Sequence, residues 1–169
     1  MLEFVNPQTF SGDLVVRPMS SPADARAFKD LNEQWITTLF ALEPADRAVL
    51  DDPQDAILAK GGQVLIARDG QQIVGCVAIV PEGHGVYEIS KMAVAPEHRG
   101  RGFGRTLLSA AIDHARTLGA TALFLGSSTK LPTAVHLYEQ AGFVHVPPAD
   151  IGPMPYDRAD VFMRLELTA

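Results

Sequence analysis

The stretch Lys91-Met92-Ala93-Val94-Ala95-Pro96-Glu97-His98-Arg99-Gly100-Arg101-Gly102-Phe103-Gly104-Arg105 joins two unlike patterns. Before it, Val86 to Val94 reads as a strand that Pro96 and the glycines bring to an end. After it, Phe103, Leu107, Leu108, Ala111, Ile112, Ala115 and Leu118 recur three or four places apart, the apolar stripe of a helix that Gly119 caps. Glycines between a strand and a helix let backbone N–H groups converge on a ligand, and the positive end of the helix favours an anion. Arginines on the same loop add charge-assisted bonds. Taken alone the loop also reads as a solvated cap. A Walker loop is excluded, because Gly104 is followed by Arg105-Thr106 rather than Lys-Ser/Thr with the required glycine before it. A dinucleotide fingerprint is excluded too: the glycines run GxGxG, and residues 118–128 hold no acid to bind a ribose.

Working outward, residues 14–18 form a weak first strand, and from Pro22 the positions Phe28, Leu31, Trp35, Leu39 and Leu42 mark an amphipathic helix with Trp35 in its core stripe. A shorter helix falls within 44–59. A strand at Val64 to Arg68 turns at Asp69-Gly70, a tight-hairpin dipeptide, into a second strand from Ile73 to Val80, and Pro81 to Gly85 turns the chain again. Beyond Gly119 come a strand at 121–126, a polar loop at Ser127 to Lys130, a helix from Thr133 to Ala141 stopped by Gly142, and strands near 143–146 and 159–167. The four prolines of 147–157 make that segment a long loop, and residues 1–12 read as a loose arm. This order predicts one α/β (α+β) domain over 1–169, a mixed, mostly antiparallel sheet flanked by helices.

Composition narrows the function. The 169 residues are 47% hydrophobic and 20% charged, enough for one full core. No apolar run is long enough to span a bilayer, and the start carries Glu3 where a signal peptide needs basic charge. A cytoplasmic location is expected, with no membrane partner. The single Cys76 excludes disulfides and cysteine-pair zinc sites, and no two of the five histidines stand four apart, so no metal is expected. Cys76 itself sits in an apolar run and reads as core. A net charge of -6 argues against nucleic acid. The charge is uneven: seven acidic residues lie between Asp30 and Asp55 against Arg47 alone, whereas four of the fourteen basic residues crowd into Lys91 to Arg105. The basic centre suits a small phosphorylated ligand better than a nucleic-acid backbone.

Arg99, Gly102 and Gly104 spell Arg-x-x-Gly-x-Gly behind Met92-Ala93-Val94-Ala95-Pro96, and here the sequence resembles the GNAT superfamily of N-acetyltransferases. Ala134-Val135-His136-Leu137-Tyr138-Glu139-Gln140-Ala141-Gly142-Phe143 resembles the family's later helix ending in Gly-Phe, and Met163 to Leu167 its last strand. The likeness covers residues 64–167 and fades over 1–63. It implies an acetyl-CoA site. The backbone of Arg99, Gly100, Arg101, Gly102, Phe103, Gly104 and Arg105 would cradle the pyrophosphate. That of Met92, Ala93 and Val94 would pair with the pantetheine arm, an N–H polarising the thioester carbonyl. Ser128, in the loop Ser127-Ser128-Thr129, would face the same cleft, where many relatives carry an asparagine that this chain lacks.

The resemblance also implies catalytic roles. Glu88, six residues before Val94, stands where some members place a general base; equally it reads as a solvated strand residue. Tyr138 shares a helical face with Ala134, Leu137 and Ala141, and reads as the acid that protonates the departing thiolate or as a core tyrosine. His136 lies around the helix on the surface, and Lys91 alternates away from Glu88 along the strand. The expected activity is acetyl transfer from acetyl-CoA to a primary amine of a small molecule or peptide, by direct attack, with a homodimer left open. Because the resemblance puts the acidic run Asp30 to Asp55 on helices that cover one side of the acceptor cleft, it implies a cationic amine. An acyl-CoA-binding sensor without turnover is the alternative on the same fold, and an interaction or nucleic-acid module a more distant one.

Overall fold

The computed structural model describes residues 14–152 and 154–167, so the expected arm at 1–12 lies outside the described residues. Seven strands, β1 (Leu14–Pro18), β2 (Gln63–Asp69), β3 (Gln72–Gly83), β4 (Val86–Val94), β5 (Ala122–Ser127), β6 (Val144–His145) and β7 (Val161–Glu166), form one sheet in the order β1-β2-β3-β4-β5-β7-β6. Only β4 and β5 run parallel; the other neighbours are antiparallel. The helices are α1 (Pro22–Leu39), α2 (Pro44–Leu50), α3 (Pro53–Ala56), α4 (Phe103–Thr117) and α5 (Pro132–Gln140).

Alternation along the inner strands divides the core. Leu65 and Ala67 of β2, with Val77 and Ile79 of β3, pack with Phe103, Leu107, Leu108 and Ala111 of α4. Val64, Ile66, Cys76 and Ala78 pack on the other side with Phe28 and Ile36 of α1, Leu50 of α2 and Ile57. The expected elements are present, with three differences. The single helix expected within 44–59 is broken into α2, α3 and a 3-10 turn at Leu58–Lys60, because Pro53 starts a fresh helix behind its cap Asp52. Strand β3 continues through Pro81 to Gly83, and the turn into β4 needs three positive φ angles in a row, at Gly83, His84 and Gly85. Finally, α1 buries Phe28, Asn32 and Ile36, while Leu39 is exposed and Leu42 lies past the helix end. Asn32 is tolerated inside because its Nδ2 donates to Phe28 O (2.9 Å) and Cys76 Sγ (3.3 Å), and its Oδ1 accepts from Trp35 Nε1 (2.9 Å). Trp35 is accordingly only half-buried, not the core residue that the stripe predicts.

Two irregularities set β4 apart from its neighbours. Cys76 faces Ala93 and Ala78 faces Ser90, so Lys91 and Met92 together oppose Val77 in a bulge, with Lys91 at φ 52°. The pairing of β4 with β5 also stops early. It runs Val86 with Ala122, Tyr87 with Leu123 and Glu88 with Phe124, after which β4 keeps β3 alone and β5 keeps β7.

Candidate active site in the gap between β4 and β5

Where the two parallel strands part, a cavity of about 1080 Å³ opens, lined along one side by Glu88 to Val94 and along the other by Gly126 to Ser128. At its far end α4 begins. Gly100 (φ 78°) and Gly102 (φ 79°) carry the loop through left-handed conformations that other residues adopt only under strain, and Gly102 caps the helix. The first-turn N–H groups of α4 lack partners within the helix and stand at the cavity, together with its positive dipole end. Arg99 Nε donates to Val94 O (3.2 Å), tying loop to strand. Gly104 allows α5 to approach: a Cβ there would lie 3.4 Å from Leu137 Cδ2.

Among the ionisable side chains that line this space are Glu88 and Tyr138. Burial pushes the Glu88 carboxyl up, the Glu82 charge adds to it, and Lys91 and a hydrogen bond from Ser90 only partly offset them, leaving a pKa of about 7. Tyr138 on α5, buried with its ring edge-on to Phe143 at 6.0 Å, is raised to about 12 by burial and keeps its proton at neutral pH. Cys76 is fully buried and outside the cavity lining; burial raises its thiol to about 12 in spite of the hydrogen bond from Asn32, so it is no nucleophile.

Of the expected site residues, Glu88, Met92, Ala93, Val94, Arg99, Gly100, Gly102, Phe103, Gly104, Arg105, Ser128 and Tyr138 all line the cavity. Arg101 does not: its guanidinium turns outward to Asp69 (3.5 Å) and lies over the Phe103 ring (4.8 Å). Ser128 Oγ accepts from Lys130 N (3.1 Å) and shapes its own loop. His136 is exposed at the rim.

A second cluster escaped the sequence. The bulge aims Lys91 into the cavity wall alongside Glu88, contrary to strict alternation. Its Nζ donates to Asp46 Oδ1 (3.0 Å) and to the Tyr156 hydroxyl (2.9 Å). Arg158 grips the same Asp46 with both terminal nitrogens (2.8 and 2.7 Å) and reaches Glu43 Oε2 (3.1 Å). Burial alone would raise Asp46, but the Arg158 hydrogen bonds, the Glu43 N–H and the Lys91 charge hold it near 2. The partners come from α2, β4 and the loop before β7, so no local spacing announces them.

The GNAT acetyltransferase family model matches residues 26–143, from α1 to the end of the α5 segment. The chain belongs to the GNAT family. A relative described as an IAA acetyltransferase, from Azospirillum brasilense, is 38% identical over 146 residues, covering 83% of this chain and 91% of its own. A GNAT-family acetyltransferase structure from Staphylococcus aureus superposes with a TM-score of 0.82 at 19% identity, covering 92% of this chain and 99% of that one. An acetyltransferase from Salmonella typhimurium, solved with acetyl-CoA, gives a TM-score of 0.70 at 26% identity over 92% of this chain and 94% of its own. This GNAT protein is an acetyl-CoA-dependent acyltransferase, and none of its described helices is long and apolar enough to cross a membrane.

Proposed function

We propose that this GNAT protein transfers the acetyl group of acetyl-CoA to a primary amine by direct attack in a ternary complex. The observation that carries this is the parted β4 and β5, with a glycine-capped helix start at the far end and with Glu88 and Tyr138 facing the same cavity. These residues fit the cofactor. The edge of β4 that β5 leaves open at Met92, Ala93 and Val94 would hold its extended arm and the N–H groups of Gly102 to Arg105 its phosphates. Bound acetyl-CoA supplies an acetyl thioester open to attack by an amine. Glu88 takes the proton that the amine must lose, directly or through water, and its pKa of about 7 suits that task. The Tyr138 hydroxyl gives a proton at the leaving sulfur.

Initial rates with both substrates varied test the order of events. Lines that intersect are expected. Parallel lines, the pattern of a covalent acyl-enzyme, would overturn direct attack. Gly102→Val must take a side chain into φ 79° at the helix start, and calorimetry should then show acetyl-CoA affinity reduced more than tenfold, about 1.4 kcal/mol. Unchanged affinity would remove the loop from the cofactor site.

For Glu88→Gln, activity and stability should move in opposite directions. Loss of the base should lower kcat/KM by about 10- to 100-fold at pH 8, and by much less at pH 6, where the carboxyl already holds its proton. The raised pKa means that the folded protein binds more protons than the unfolded chain between pH 4.5 and about 7, so wild-type stability falls as pH rises through that window. Glutamine carries no charge, so the variant should melt higher than wild type at pH 8 and equally at pH 4. A variant as active as wild type at pH 8 as well as at pH 6 would be evidence against Glu88 as base.

A further inference from the structure

The cavity wall beside α1 turns cationic side chains inward and keeps their carboxylate partners behind them, against the expectation from the acidic run. None of the seven acidic residues between Asp30 and Asp55 lines the cavity, and Glu88 is the only acidic side chain that does so among the described residues. Asp46 and Glu43 are turned behind the wall as counter-ions, and Asp51 is taken by Lys29 (2.9 Å). What the wall presents is Lys91, Arg158 and, at the rim, exposed Lys130, together with the Tyr156 hydroxyl.

Resting on the acetyltransferase reading of this cavity, we propose that the acceptor amine carries a carboxylate, as an amino acid or a short peptide does, and that Lys91, Arg158 and Lys130 recognise it. Lys91 and Arg158 share Asp46 and are held in place by Tyr156 and Glu43, so neither side chain has to be ordered when the acceptor binds. Both keep donors over. The ammonium has three N–H groups and two partners, and the guanidinium has five, of which Asp46 and Glu43 take three. The cations also rest on a ring face, Lys91 at 4.1 Å and Arg158 at 4.5 Å from the centre of Tyr156, which holds them at the wall. Lys130 has no ion-pair partner among the described residues and lies 5.3 Å from the Phe40 ring centre. A polyamine would bring further positive charge against this wall; a carboxylated amine brings its counter-ion.

Matched acceptors test this, because each set differs only in the carboxylate: phenylalanine, its methyl ester and phenethylamine, and leucine, its methyl ester and 3-methylbutylamine. The twenty common amino acids, dipeptides and spermidine complete the panel, and CoA release is the readout. Acids are expected to exceed their esters and decarboxylated amines by more than tenfold in kcat/KM. Calorimetry on the CoA-loaded protein should give the same order of binding. Lys130→Glu, a rim substitution, should raise KM for the preferred acid about tenfold and leave kcat nearly unchanged, and added salt should weaken wild type in the same way. Turnover of the amines or esters at rates equal to the acids would overturn the carboxylate and leave the transferase standing. Binding of acetyl-CoA with turnover of no member of the panel would overturn both.

Discussion

Asp46→Ala should destabilise the protein by about 3–5 kcal/mol, the cost of removing one partner from a buried ion pair. Asp46 is fully buried and is the one anion that Lys91 and Arg158 share; without it two cations face each other across a poorly solvated wall. For a chain of this size the loss corresponds to a melting temperature lower by about 6–20 °C, at 2–4 °C per kcal/mol. The pH dependence has a definite sign. The folded pKa lies near 2, below the unfolded value of 3.8, so the stabilisation is complete above about pH 4 and is lost as pH falls through 2. The wild-type advantage in melting temperature should therefore be full at pH 7 and shrink toward pH 2. A variant that melts with wild type at pH 7 would show that the network is not holding the wall.

Tyr138→Phe should lower kcat by about 10- to 1000-fold and leave the fold and acetyl-CoA affinity in place. The ring survives, with its edge-on packing on Phe143, so only the hydroxyl is removed. The range is wide because a thiol ionises near pH 8.5, which makes the thiolate a tolerable leaving group without help. Calorimetry with acetyl-CoA and a thermal melt separate this outcome from misfolding. Wild-type rates in the variant from pH 6 to 9 would take Tyr138 out of the reaction.

The sequence is most legible where one local rule decides a backbone. The Asp69-Gly70 hairpin, the stripe of α4 and its stop at Gly119 need only neighbours within a few residues, and each stands where periodicity puts it. Legibility fails where distant groups decide. The face of α1 is turned because Asn32 meets Cys76, 44 residues away, and Trp35 moves outward with it. Alternation puts Lys91 on the wrong side because it assumes an unbroken strand, and one bulge residue cancels it. Arg158 and Asp46 are 112 residues apart. Their pairing uses Asp46, one member of the acidic run, as the buried counter-charge of Lys91 and Arg158.

The three residue pairs that join β4 to β5 make the sheet a pair of cantilevers sharing one short root. On one side β4 is stiffened by β3, on the other β5 by β7, and the root is reinforced by Thr121 N donating to Gly85 O (2.7 Å). From Glu88 to Val94 is six residues, about 20 Å at about 3.3 Å per residue. Over such an arm a turn of about 5° at the root moves the tip by about 1.7 Å, more than half the length of a hydrogen bond. Small residues or strain introduced at Val86 to Glu88 would thus be felt at the glycine loop, far from where they were made, and under the proposed function the alignment of the thioester would depend on how rigidly that root is built.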